Sequence, residues 1–189
     1  MRKVGYFITF MILVTTCSEA GTIKMMAGMA ALKYNFENAP QSSKMVLTGG
    51  FGFEGYTRLR LEVDLLVLGD KKKFDIGGKK SYYKFINGNM DCLLKYKFKN
   101  FNSPYFLVGG TIGFLSPQKT DSKWQALKNI QVKSFVDYGA VIGLGLELDF
   151  KKSSIMMEGR YRIGLANHEL ENRKFKCNGF FMMCGFRFF

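Results

Sequence analysis

The sequence predicts an all-β fold: an eight-stranded antiparallel up-and-down transmembrane β-barrel, preceded by a signal peptide. Apolar and polar residues alternate through several long segments, the connections between those segments are short and long in turn, and no run of about 18 apolar residues could form a membrane-crossing helix. The 189 residues suit one domain. With 47% hydrophobic and 15% aromatic residues, the chain is too apolar for a disordered tail.

The amino terminus predicts an export signal. Arg2 and Lys3 precede a short apolar run at residues 4–14, and small residues follow it. A charged start, a short apolar core and a small-residue end are typical of a secretory signal peptide. We expect residues 1–20 to be this signal peptide and residues 21–189 to form the barrel domain.

Charge and cysteine content exclude several classes of protein. The formal net charge is +13, and the chain has one histidine and four scattered cysteines. Removal of the signal peptide would leave Cys92, Cys177 and Cys184, an odd number that does not suit a disulfide framework. Acylation of Cys17 is an alternative that its flanking residues match poorly. We expect no metal and no cofactor.

The strands are predicted from period-two alternation. In residues 136–150 every even position is apolar, and every odd position except Val141 is acidic or glycine. Side chains of a strand alternate between its two faces, so such a segment has one apolar and one polar side. Seven further segments share this pattern, the last four more weakly because of glycine: residues 57–67, 90–99, 155–166, 23–32, 45–53, 105–115 and 178–189.

Strand length and loop pattern favour a membrane barrel over a soluble one. The predicted strands run about 10–15 residues, whereas soluble strands average about 5–6 and membrane strands need about 9–11. Short connections on one side and long ones on the other are typical of outer-membrane barrels. The short connections are 54–56, 99–103 and 151–154, and the long ones are 33–44, 69–89, 116–134 (with a short helix at 121–131) and 167–177.

Periodicity alone does not show which face points inward, so a soluble lipocalin-like barrel remains the alternative. The signal peptide and strand lengths favour apolar residues facing lipid. The last predicted strand contains several glycines and ends on an aromatic residue, as the last strands of outer-membrane barrels characteristically do. Aromatic residues near the strand ends are expected to form interfacial girdles: Tyr56, Phe98, Phe101, Tyr105, Phe150 and Phe188.

The polar faces of the strands predict a charge-filled lumen. An eight-stranded barrel has an interior that side chains can fill, and buried charges persist only when they are paired. We therefore expect an internal salt-bridge network that plugs the barrel, although a narrow ion path or acid–base chemistry along these groups is an alternative. The predicted network comprises Arg58, Arg60, Glu62, Asp64, Asp91, Lys95, Lys97, Asp137, Glu147, Asp149, Glu158, Arg160, Arg162 and Arg187.

The connection at residues 69–89 is predicted to be a basic loop. If it faces outward it would meet phosphate-bearing lipid headgroups or acidic surface polymers. The alternative is a solvated, mobile loop that binds nothing, and nucleic acid is not an expected partner of an exported barrel. The basic residues are Lys71, Lys72, Lys73, Lys79, Lys80 and Lys84.

His168 raises a separate, enzymatic alternative. It lies beside Glu169 and Glu171 in the last long connection. A histidine at the outer rim could act as the base of a lipid-modifying barrel enzyme. Nucleophilic catalysis also needs a hydroxyl nucleophile and an acidic partner at recognisable positions. No such set is visible in the sequence, so we expect no catalytic residues.

Several segments resemble the outer-membrane protein β-barrel domain family, the PorT-like group of Bacteroidota. These segments are residues 94–98, 104–110, 137–148, 158–165 and 185–188. The resemblance implies a barrel in the outer membrane of a Gram-negative cell, and a secretion-associated role in some relatives. We therefore expect a non-enzymatic membrane anchor, scaffold or secretion-associated component. Its expected partners are outer-membrane lipid, and lipopolysaccharide or other envelope proteins.

Overall fold

The computed structural model describes residues 21–36, 45–55, 59–76, 79–120, 135–170 and 173–188. Within these ranges no helix is long and apolar enough to cross a membrane. The described residues form nine strands: β1 (Thr22–Phe36), β2 (Met45–Glu54), β3 (Leu59–Ile76), β4 (Lys79–Lys97), β5 (Ser103–Thr120), β6 (Phe135–Asp149), β7 (Ser153–Gly164), β8 (His168–Leu170) and β9 (Arg173–Phe188).

Eight long strands form a closed antiparallel barrel, which confirms the predicted fold class. Each strand from β1 to β7 pairs with its neighbour in the chain, and β7 pairs with β9. The register of β1 against β9 runs from Ile23 opposite Phe188 to Phe36 opposite Phe175, and this closes the sheet. Closure pairs the backbone N–H and C=O groups of the two edge strands. Lipid could not satisfy these groups, because it offers no hydrogen bonds. The three-residue β8 pairs only with β9.

The prediction of a loop at residues 69–89 is wrong. Strand β3 continues to Ile76 and β4 begins at Lys79, and the two remain paired over this whole stretch. The alternation also continues, because Lys72 is buried inside while Lys71 and Lys73 are exposed outside. A strand that extends beyond the bilayer has no need of an apolar outer face, so its hydrophobic pattern no longer marks it.

Two other predicted connections are shorter than expected. Strand β5 runs to Thr120, past the expected end at residue 115, and β8 lies within the predicted connection 167–177. The predicted helix at 121–131 and the signal peptide at 1–20 lie outside the described residues.

The sidedness of the barrel is that of a membrane protein. Large apolar side chains cover the exterior, among them Leu47, Val136 and Leu144, which are 78%, 67% and 69% exposed. The ionisable side chains on the opposite strand faces are buried in the lumen. A soluble lipocalin-like barrel has the reverse arrangement, with charges facing water, so this structure favours the membrane alternative.

Exposed aromatic residues lie near the short turns. Phe98, Phe101, Phe150 and Phe188 all face outward there and are more than half exposed, which suits an interfacial girdle. Tyr105 does not belong to this group: it is 1% exposed and faces the lumen, contrary to the expectation. Tyr56 lies outside the described residues.

A charge placed on the outer face tests this sidedness. Ile142 is half-exposed at the middle of β6, so Ile142→Arg should reduce the free energy of unfolding from lipid vesicles by about 2–4 kcal/mol. Gln118→Arg, at the exposed outer end of β5, should cost about 0–1 kcal/mol. Urea titration followed by heat-modifiable gel migration measures both, and equal costs at the two positions would contradict a lipid-facing surface.

Candidate functional site

Among the residues that the structure describes, eight basic and nine acidic side chains are buried in the lumen. Thirteen of the fourteen residues predicted for the network are among them, and Arg58 lies outside the described residues. The sequence analysis did not assign Lys24, Glu54, Asp70 or Lys72 to the lumen, although the alternation of β1 extends to Lys24. The full set is Lys24, Arg60, Lys72, Lys95, Lys97, Arg160, Arg162 and Arg187 with Glu54, Glu62, Asp64, Asp70, Asp91, Asp137, Glu147, Asp149 and Glu158.

Two glutamates organise the charges near the short turns. Glu54 accepts hydrogen bonds from Arg60 at 2.9 Å and from Lys95 at 3.1 Å, and it also pairs with Arg187. Glu147 lies 3.0 Å from the Lys95 ammonium and 2.6 Å from the Arg187 guanidinium. These contacts cross the lumen and join β2, β3, β4, β6 and β9.

Arg160 is the centre of the charged region in the middle of the barrel. Its guanidinium donates to Glu62 at 2.8 Å and to Asp91 at 3.0 Å, and lies 2.6 Å from Glu158. It also pairs with Asp64. One guanidinium on β7 therefore faces four carboxylates, of which three come from β3 and β4, and its side chain is 1% exposed.

The carboxylates of Glu62, Asp64 and Glu158 come close enough to suggest a metal site. Their oxygens lie within 4.8 Å of one another. The Lys24 ammonium, however, lies 2.5 Å from Glu62 and 2.9 Å from Asp64, and Arg160 contacts all three carboxylates. Two side-chain cations thus occupy the position that a metal cation would take.

A smaller polar group lies toward the long connections. Asp137 pairs with Arg162, and its other oxygen is 3.0 Å from His168 Nε2. The imidazole packs between Phe135 and Phe175, with ring centroids 5.3 Å and 5.1 Å away. His168 is 3% exposed, so it lies inside the barrel and not at an outer rim open to lipid, where the enzymatic alternative placed it.

The outer part of the lumen is apolar and aromatic, which the prediction of a charge-filled lumen missed. Tyr34 stacks on Phe85 at 4.4 Å between ring centroids. An ion pair, Lys72 with Asp70 at 3.2 Å, accompanies this cluster, and the Lys72 ammonium lies over the Tyr34 ring. The buried members are Met26, Ala30, Leu32, Tyr34, Leu66, Leu68, Tyr83, Phe85, Leu115, Phe175, Cys177, Phe181 and Met183.

Inward glycines make room for large lumen side chains. A Cβ on Gly145 would collide with the Tyr105 ring. That ring lies under the Lys95 ammonium, 4.0 Å from it, and its hydroxyl donates to Glu158 at 2.9 Å. The glycine-rich polar faces of the strands, visible in the sequence, thus accommodate long residues from other strands.

The residues of the predicted basic loop separate into two sets. Lys71 and Lys73 are exposed and Lys84 is half-buried on the outer face of β3 and β4, whereas Lys72 faces the lumen. Lys79 and Lys80 begin β4, and their side chains lie outside the described set.

The chain is similar to solved outer-membrane barrels in fold. It aligns with the outer membrane protein OprG from Pseudomonas aeruginosa (TM-score 0.58, 14% identity, 90% of this chain and 96% of that one). It also aligns with Neisserial surface protein A, NspA (TM-score 0.57, 13% identity, 90% and 99%). No family model matches the sequence. No curated protein matches it.

The fold is therefore that of an eight-stranded outer-membrane β-barrel. The apolar exterior and the closed sheet agree with the shared architecture, and together they place the protein in the outer membrane. The narrower relationship to the PorT-like group stays a prediction.

Removal of the central guanidinium tests the role of the network. Arg160→Leu leaves four buried carboxylates without their shared partner and should lower the free energy of unfolding by about 3–5 kcal/mol. Adding Asp64→Asn should restore part of this loss, because one uncompensated charge is removed. Lys176→Gln, at an exposed cation on β9, should change it by no more than about 0.5 kcal/mol. Unfolding in urea measures all three, and an Arg160 variant as stable as the Lys176 variant would refute the assignment.

Proposed function

We propose that the protein is a non-enzymatic, non-conducting anchor of the outer membrane that presents its extended β3–β4 hairpin beyond the bilayer. The observation that carries this proposal is the obstruction of the lumen. Ion pairs span the lumen from the level of Glu54, near the short turns, to the level of Glu158 in the middle of the barrel. An aromatic cluster fills the outer part of the lumen.

The obstruction has a physical basis in both regions. An eight-stranded barrel leaves an interior that is just wide enough for side chains. In the charged region, cations and carboxylates hold one another across the lumen, so an ion would have to break several buried pairs to pass. In the outer region, the stacked rings of Tyr34 and Phe85 narrow the lumen beside the Lys72–Asp70 pair.

An anchoring role also suits the unequal ends of the barrel. The connections after β2, β4 and β6 are short, whereas β3 and β4 stay paired over 18 residues up to Ile76 opposite Lys79, and β5 stays paired with β4 up to Thr120 opposite Tyr82. Outer-membrane barrels carry their longer connections on the extracellular side. The extended hairpin would then stand at the cell surface as a rigid β-structure with lysines on its outer face.

Planar-bilayer recording tests the proposal. The full-length protein, shown to be folded by its heat-modifiable migration, should give no large, steady open-channel current. A variant with both regions opened, Arg160→Ser with Phe85→Ser, should conduct once its heat-modifiable migration shows that it is folded, because it removes the central cation of the charged region and one of the two stacked rings of the outer region.

A matched exterior variant, Ile142→Ser with Leu144→Ser, supplies the control, because it changes two residues without touching the lumen. It should stay as silent as the unaltered protein. A large, steady current from the unaltered protein would refute the proposal.

A further inference from the structure

The outer surface of β3, β4 and β5 carries an apolar groove. Its volume is about 910 Å³. Three rows of paired residues form its floor; the Phe114 ring covers Gly88, whereas Gly110 leaves a depression between larger neighbours. The outward members of these rows are Val67, Gly88 and Phe114; Leu65, Met90 and Ile112; and Cys92 and Gly110.

Lysines lie on the same face, directly beyond the outer end of this groove. Lys71 on β3 is opposite Lys84 on β4, and Lys73 is opposite Tyr82, with the Lys73 ammonium 5.9 Å from the ring centroid. Three lysines on one face of the sheet make this end of the groove positively charged, and such a surface attracts anionic groups.

The spacing between the two features matches a lipid. Lys71 lies four residues after Val67 on β3, and Lys84 lies four residues before Gly88 on β4. At about 3.4 Å per residue, the lysines lie about 14 Å from the groove floor along the strands, which is a depth of about 10 Å at a strand tilt of about 35–45°. This depth is less than half of the roughly 30 Å hydrocarbon core, so the groove lies at acyl-chain depth within one leaflet when the lysines lie at headgroup depth.

We infer that this face is a binding site for a phosphate-bearing, acylated lipid of the outer leaflet. The phosphate binds among Lys71, Lys73 and Lys84, and one acyl chain lies in the groove beside Phe114 and over Gly110. Charge complementarity selects the phosphate, since basic residues near a membrane surface attract anionic headgroups. The groove favours binding of an acyl chain, because its walls contact the chain on several sides, whereas a flat apolar surface would contact it on one side only.

The inference deepens the proposed anchoring function, and it rests on the part of that proposal in which β3 and β4 cross the membrane and their connection lies on the outer side. A lipid held along the β3–β4 extension would fix the depth of that hairpin. Conductance through the lumen and lipid binding outside it are measured separately, so either proposal can fail without the other.

Native mass spectrometry of the full-length barrel, released from phosphatidylcholine nanodiscs, tests the headgroup contact. The probe is diphosphorylated lipid A, compared with its dephosphorylated form. Lys71→Gln with Lys73→Gln and Lys84→Gln should weaken binding of the phosphorylated probe by about tenfold or more. Binding of the dephosphorylated probe should not change.

The matched control removes three other outward cations, Lys33, Lys174 and Lys176, by the same substitution to glutamine. These residues are exposed on β1 and β9, and they lie away from the groove. The control variant should keep the affinity of the unaltered protein. Equal losses in the two triple variants would overturn the inference in favour of diffuse attraction, and no loss in either would overturn it outright.

The groove is tested by filling it. A Cβ at Gly110 meets only ordinary van der Waals distance to its nearest neighbour, so Gly110→Leu is tolerated by the backbone and projects into the groove. It should weaken binding of both probes, whereas Ala27→Leu, on the outer face of β1, should weaken neither. Unchanged binding in the Gly110 variant would overturn the acyl-chain site.

Discussion

The insolubility of charges and unpaired backbone groups in hydrocarbon is the constraint on which this structure depends. Lipid offers neither hydrogen bonds nor counter-charges, so every strand must be paired and every ionisable group of the spanning region must turn inward. The β1–β9 pairing satisfies the first demand. The second places 17 acidic and basic side chains in a lumen that only side chains can fill.

Those inward charges then determine how the interior is built. Carboxylates on β2, β3, β4, β6 and β7 meet cations from β1, β3, β4, β7 and β9, so the ion pairs tie together strands that are not neighbours in the sheet. Removal of one charged residue leaves its partners buried without a counter-charge. An arrangement of the strands that separated these partners would therefore be unfavourable. Inward glycines such as Gly145 provide the space that the long side chains need.

How much the sequence predicts depends on where along a strand a residue lies. Within the bilayer, as in β6, alternation identifies both the strand and its two faces. Beyond the bilayer, in the β3–β4 extension, both faces are polar or mixed and the strands resemble a basic loop. In β5, Tyr105 and Phe106 are both aromatic, so the sequence does not show which of the two faces the lumen. The predicted outward position of Tyr105 is wrong for this reason. The contacts of Glu54 with Arg187 and of Arg160 with Asp91 depend on barrel closure, which no local pattern encodes.

The exterior and interior therefore have separate roles: the lumen holds the barrel closed, and the outer face meets the membrane. Electron paramagnetic resonance accessibility along β6 tests this division most directly, with nitroxide labels introduced one at a time at residues 137, 138, 140, 141, 142, 144 and 146 of the barrel in lipid vesicles. Labels at even positions should collide with oxygen dissolved in lipid and not with a water-soluble nickel chelate, and labels at odd positions should be shielded from both. Even positions that are accessible to the nickel chelate would contradict the account.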